Sequence, residues 1–220
     1  MNEAIRLYRN GEYEAALNRL LELHVDDAQQ AELSYYLGLC YGSMKQYDEA
    51  VLYLEQVVSS DLGFLYVYQS RMLLGYIYSV TERYRLAEFE FHRLLEDGYE
   101  SAKVYAALAY VLYQQGQPAP AIAHLEKALR IDPENANAMN SLGYILAESS
   151  ENLDLAFSYC QRAARKRPNN PAYLDSLALA YEKRGQLQHA LKLYRHAYRI
   201  SGENATIGAH LRTLEQRMVS

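Results

Sequence analysis

The sequence predicts an all-α protein assembled from repeated helical hairpins, and three observations carry that prediction. Ala, Leu, Glu, Gln and Arg fill the long stretches between breakers, with only 11 Gly and 5 Pro in 220 residues, a composition that favours helix over strand. A small residue opens a similar pattern six times, at Ala4, Gly38, Gly75, Ala109, Gly143 and Ala178, with spacings of 34, 37, 34, 34 and 35 residues. A second small residue follows in each copy, at Ala16, Ala50, Ala87, Ala121, Ala156 and Ala190. Two small residues per copy are what two helices pressed together require, because backbones approach closely only where side chains are short.

The copies can be justified in order. The first, "EAIRLYRNGEYEAALNRLLEL", carries Leu7, Gly11, Tyr13 and Leu20, and its first helix is expected to be about four residues short by comparison with the other copies. The second, "LGLCYGSMKQYDEAVLYLEQVV", sets Gly38 and Tyr41 against Ala50 and Leu54, and the third repeats this with Gly75, Tyr78, Ala87 and Phe91. The extra residues behind the spacing of 37 lie around "SSDLGFLYV", where a turn is expected. The fourth copy has Leu108, Leu112, Gly116 and Leu125, the fifth Leu142, Leu146, Cys160 and Ala163, and the sixth Leu177, Tyr181, Gly185 and Tyr194. Pro133 and Pro168 keep one hairpin from running into the next. The repeats span about 1–30, 31–67, 68–101, 102–135, 136–170 and 171–202 of one domain covering 1–220. Residues 203–218 then place Ile207, Leu211, Leu214 and Met218 on one helical face with no second helix to follow. That is a capping helix, apolar on one face and wet on the other.

This arrangement resembles the tetratricopeptide repeat family, whose 34-residue unit is two antiparallel helices. The match rests on Leu37, Gly38, Tyr41, Ala50 and Leu54 in the second copy, and on Leu142, Gly143, Leu146, Ala156, Cys160 and Pro168 in the fifth. The resemblance implies a right-handed α-solenoid of about six hairpins plus the capping helix. The stretch "NNPAYLDSLALAY", Asn169 to Tyr181, is similar to late repeats of bacterial members, several of them envelope lipoproteins or assembly factors. A bacterial source is therefore expected.

Catalytic chemistry finds little support. The six histidines form no H-E-x-x-H motif, and His189 and His196 stand seven residues apart, too far to share a metal without a third ligand. There is no Cys-x-x-Cys, no phosphate-binding glycine loop and no G-x-S-x-G. Cys40 and Cys160 fall on apolar helical faces and read as buried free thiols. Glu88 and Glu90 read as solvated helix surface. The expectation is a protein that is not an enzyme and takes no cofactor and no metal.

A partner is expected instead. In the family that the chain resembles, first helices line a concave face that holds peptides. Side chains one turn apart on such helices point the same way, which yields Tyr35 and Leu39, Met72 and Tyr76, Tyr110 and Tyr113 with Lys103 and Ala106 nearby, Asn137, Asn140 and Tyr144, and Asp175 and Leu179 followed by Glu182. Tyr is abundant, 22 against 4 Phe and no Trp, and aromatic side chains give large contact area at small entropic cost. Some family members grip a C-terminal carboxylate with Lys, Asn and Arg. Here Lys103 and Asn140 fall in suitable places, but Ala106, Tyr110, Tyr113 and Gln114 occupy the neighbouring sites, so the basic partners of such a grip are absent.

Charge is unevenly spread. Residues 1–101 hold 17 acidic and 8 basic residues, net −9, and residues 102–220 hold 10 acidic and 14 basic, net +4. Opposite ends that attract offer an alternative role, a structural subunit or assembly factor that self-associates or caps a complex. Net acidity without interleaved basic and aromatic residues argues against nucleic acid. No apolar run approaches 18 residues, so direct membrane insertion is not expected. The compartment stays open: cytoplasmic as the chain stands, periplasmic or envelope-associated if a signal or anchor preceded Met1.

Overall fold

The structure, a computed structural model, describes residues 1–60 and 63–219. Asp61 and Leu62, inside the expected insertion "SSDLGFLYV", lie outside the described residues. Thirteen helices are present among the described residues: α1 (Asn2–Arg9), α2 (Tyr13–Leu21), α3 (Asp27–Ser43), α4 (Tyr47–Val58), α5 (Phe64–Val80), α6 (Tyr84–Glu96), α7 (Ala102–Gln114), α8 (Pro118–Ile131), α9 (Ala136–Glu148), α10 (Leu153–Lys166), α11 (Pro171–Lys183), α12 (Leu187–Ile200) and α13 (Ala205–Val219). They form two compact units, Met1–Glu100 and Ser101–Ser220. In the first, three hairpins stack through α2 on α3 and α4 on α5. In the second, three hairpins stack through α8 on α9 and α10 on α11, and α13 closes on α12.

Local chemistry explains where the helices begin. Asp26, Ser101, Asn135, Asn152 and Asn170 each accept a hydrogen bond from the backbone N–H three residues on, which satisfies a donor that the helix itself leaves unpaired. Pro118 and Pro171 sit in first turns, where the missing N–H has no cost. Pro133 and Pro168 fall between α8 and α9 and between α10 and α11, as expected of separators.

The six turns inside the hairpins share one geometry. Gly11, Lys45, Glu82, Gly116, Ser150 and Gly185 all have φ between 59 and 84°. After each, a backbone N–H reaches back to the carbonyl five residues earlier: Glu12 to Leu7, Gln46 to Tyr41, Arg83 to Tyr78, Gln117 to Leu112, Glu151 to Leu146 and Gln186 to Tyr181, at 2.8–3.0 Å. This is the Schellman closure, which satisfies end carbonyls and turns the chain.

Packing between paired helices follows the small residues. Ala16, Ala50, Ala87, Ala121, Ala156 and Ala190 are all fully buried. A Cβ on Gly143 would lie 2.6 Å from Cys160 Sγ and 2.9 Å from the Ala156 carbonyl oxygen, so here the two backbones meet as the pattern requires. At Gly38 and Gly75 the nearest atoms are instead the side chains of Leu54 and Phe91, at 2.7 and 2.5 Å. There the glycine makes room for a bulky side chain one turn beyond the alanine. Ile207 and Leu214 are buried, Leu211 and Met218 pack beside them, and together they cover the sixth hairpin.

One expectation is corrected in the first unit. Glu90 is not solvated surface: it is 7% exposed and accepts a hydrogen bond at 2.8 Å from Arg71, itself 9% exposed. Burial pushes the Glu90 carboxyl up, and the Arg71 guanidinium opposes that shift. Two ions out of water persist only when paired.

Candidate partner-binding cleft

The first helices of the second unit enclose a cleft of about 360 Å³. Tyr110 and Tyr113 enter from α7, Asn140 and Tyr144 from α9, Asp175 and Ser176 from α11, and Thr206 and His210 from α13. The repeat register explains the meeting. Ala106, Asn140, Asp175 and His210 follow one another at intervals of 34, 35 and 35 residues, so they hold the same repeat position on the alternate helices α7, α9, α11 and α13. The rings of Tyr113 and Tyr144 stand edge to face, with centroids 6.1 Å apart and planes at 89°.

Polar groups in the cleft are few and specifically placed. Asn140 Oδ1 is buried and has no hydrogen-bond partner. Asp175, 7% exposed, is bonded to His210 Nδ1 at 3.0 and 3.1 Å from its two oxygens. The hydrogen bond to Asp175 holds the imidazole above its ordinary range, against the opposing effect of burial. Burial raises the Tyr144 hydroxyl, and the negative charge of Asp175 adds to that. Behind this wall, Glu182 accepts from the buried Tyr194 hydroxyl at 3.1 Å and from Arg217.

The sequence-derived positions divide into three groups. Tyr110, Tyr113, Asn140, Tyr144 and Asp175 line the cleft. Asn137 is exposed and accepts a hydrogen bond from the Tyr173 hydroxyl, and Leu179 is half-buried outside the lining. Tyr35, Leu39, Met72 and Tyr76 belong to the first unit. There Tyr35 is 6% exposed, donates to Gln69 and packs edge-on against Tyr36 and Tyr66, whereas Tyr76 is 54% exposed. Tyr35 thus packs between hairpins, and Tyr76 turns to solvent.

Thr206 and His210 were not among the expected positions, because the last helix reads as a lid with a wet outer face. One edge of that face lines the cleft instead. Continuing the register from Asp175 by one more repeat reaches His210, and that is the signal that would have found it.

Among the described residues no group of three His, Cys, Asp or Glu is placed to hold a metal ion. No described helix is long and apolar enough to cross a membrane. Cys40 and Cys160 are free and buried, and burial pushes their thiols up to about 11 and about 12, away from reactive thiolate.

Comparison with known proteins agrees with the repeat architecture. Models of the tetratricopeptide repeat match residues 1–63, 72–136 and 106–171, and a further one matches 172–203. The chain belongs to the tetratricopeptide repeat family. A TPR repeat-containing protein of Pseudomonas aeruginosa is 33% identical over 94 residues, which cover 41% of this chain and 16% of that relative. Among solved structures, a chain of the APC/C hetero-tetramer Cut9–Hcn1 gives a TM-score of 0.80 at 16% identity, over 98% of this chain and 42% of that one. YrrB, a TPR protein with an unusual peptide-binding site, gives 0.60 at 19% identity, over 91% and 97% of the two chains. At these identities the structural likenesses speak for fold alone.

Proposed function

We propose that the chain is a non-catalytic scaffold that holds a peptide or protein segment along the first helices of its second unit. The observation that carries this reading is the cleft itself. Four helices in one register, α7, α9, α11 and α13, supply all of its lining but Leu125 of α8, three tyrosines among them, and the lining residue Asn140 has a buried amide oxygen that lacks a partner. A volume of about 360 Å³ falls within the range of ligand clefts, about 300–1,000 Å³. A buried acceptor left unpaired costs on the order of 1–3 kcal/mol, which a donor from a bound segment removes. YrrB is a relative in fold with a peptide-binding site, and the matching chain of the Cut9–Hcn1 hetero-tetramer is a subunit of a complex; both are consistent with a scaffold.

The test is selection of peptides from a random displayed library on the folded chain, followed by hydrogen-exchange mapping of the best binder. Protection confined to α7, α9, α11 and α13 is the expected result. Protection elsewhere, or no binder from a diverse library, contradicts the proposal.

One observation favours a second reading. The two compact units carry net charges of opposite sign, −9 and +4. Copies that associate through unlike units would behave as structural subunits. Sedimentation separates the readings: a scaffold stays monomeric at micromolar concentration, whereas a subunit grows with concentration and shrinks with salt.

A further inference from the structure

We infer that the cleft of the second unit receives a cationic side chain, arginine, from the bound segment; the inference rests on the scaffold reading and names the chemistry of its partner. Four features of the lining converge on this. Residues 101–220 contain 14 Lys and Arg, yet none of them lines the cleft, where Asp175 supplies the carboxylate. Tyr113 and Tyr144 meet at 89° to form an aromatic corner, and the faces of such rings attract cations. Asn140 Oδ1 is a buried acceptor without a donor. Finally, the wall already favours positive charge, since both oxygens of Asp175 face His210 Nδ1.

Arginine satisfies this set better than the alternatives. Its planar guanidinium carries five N–H donors, stacks on aromatic rings and is less strongly hydrated than an ammonium. It can therefore lie against tyrosine while donating to an amide oxygen and a carboxylate together. A carboxylate ligand would meet Asp175 and the acceptor oxygen of Asn140, and the imidazole of His210 is the one cationic group in the lining to oppose them. A purely apolar side chain would leave Asn140 Oδ1 unpaired.

His210 is then a competitor for the same carboxylate. The groups that act on it are Asp175 and Glu182 from α11 and Glu148 from α9, with the Tyr194 ring of α12 at 5.9 Å. On its own helix, Arg217 is paired to Glu182. Protonated His210 neutralises Asp175, and neutral His210 releases that charge to the incoming guanidinium. Affinity for arginine should accordingly rise as pH rises through the titration of His210.

The experiment uses the full chain and five capped pentapeptides, Gly-Ala-X-Ala-Gly, with X as arginine, lysine, citrulline, leucine or glutamate. Binding is followed by NMR titration of backbone amides in α9 and α11. The expected order places arginine first, with citrulline, its uncharged near-isostere, weaker by at least about tenfold. The arginine peptide should also bind more tightly at about pH 8 than at about pH 6. In Asp175→Asn, with folding confirmed by its melt, the gap between arginine and citrulline should close. The wild-type comparison of the peptides needs no variant, so a poorly folding Asp175→Asn does not remove the test. Citrulline or leucine binding the cleft as tightly as arginine would falsify the arginine assignment while leaving the scaffold reading intact. If none of the five shifts the cleft amides, and a library-selected peptide protects another surface, both are wrong.

Discussion

His210 donates from Nδ1 to both carboxylate oxygens of Asp175, at 3.0 and 3.1 Å, and so ties the capping helix α13 to α11 across the wall of the cleft. The pair places a titrating group at the point where the end of the fold meets the candidate site. Its pKa is raised in the folded chain, first by the hydrogen bond to Asp175. A raised folded value means stability that is fully present below the unfolded pKa and is lost as pH climbs through the folded one. Melting of wild type and His210→Gln from about pH 5.5 to about pH 8.5 should show a gap that is widest at the acid end and closes with rising pH. A gap that widens toward alkaline pH would mean that the contact does not favour the charged imidazole.

The shared turn geometry makes a second prediction. Lys45 and Glu82 adopt φ of 60° and 59° in turns where Gly11, Gly116 and Gly185 sit elsewhere. A left-handed non-glycine residue costs about 1–2 kcal/mol, and glycine returns about 0.5–1 of that through the entropy of the unfolded chain. Lys45→Gly and Glu82→Gly should each stabilise by about 0.5–1 kcal/mol in denaturant melts, and Gly116→Ala should destabilise. Equal melts for all three would show that the turns relax.

Gly143 and Gly42 form a matched contrast. A Cβ at Gly143 meets Cys160 Sγ at 2.6 Å, the Ala156 carbonyl at 2.9 Å and the Cys160 backbone nitrogen at 3.0 Å, and backbone cannot swing aside. Gly143→Ala should cost about 1–3 kcal/mol and Gly143→Leu more. At Gly42 the nearest atom is Leu73 Cδ2 at 3.4 Å, so Gly42→Ala should be neutral or gain up to about 1 kcal/mol from helix propensity. Unchanged melting of Gly143→Leu would show that α9 and α10 are paired wrongly.

The buried ion pair of the first unit should behave asymmetrically. Arg71→Leu strands Glu90 without its partner and should cost about 3–5 kcal/mol. Replacing both residues with leucine removes the stranded charge and should recover much of that loss. Equal damage from the single and double variants would mean that the pair is not what holds α5 against α6.

These cases also show what could be read in advance. The hairpins were legible because close helix contact leaves a mark in composition: Gly38, Gly75 and Gly143 recur where a side chain cannot fit. The turns themselves were legible, those at "SMKQYD", "VTERYR" and "AESSEN" included, but the left-handed residue within them was marked only where it is Gly11, Gly116 or Gly185; Lys45, Glu82 and Ser150 carry no such signature. Glu90 was misread because helical periodicity gives the face of a residue but not the partner across it, and Arg71 lies 19 residues away. In the cleft, the tyrosines and Asn140 followed from register. His210 did not, because an apolar stripe that packs on one hairpin conceals the role of the adjoining edge.

The central claim is that partner binding depends on the tyrosine-lined cleft, and one titration tests it most directly. A peptide selected on the wild-type chain is titrated into Tyr110→Ala/Tyr144→Ala and into a control pair on α8, Glu126→Ala/Arg130→Ala, after dichroism shows that each variant is folded. Interface energy concentrates in a few aromatic residues, so the loss of two at about 1 kcal/mol or more apiece should weaken binding at least about thirtyfold. Exposed charges contribute weakly, so the control pair should bind within about threefold of wild type. If the tyrosine variant binds like wild type while the control pair abolishes binding, the partner sits on the second helices and the cleft is not its site.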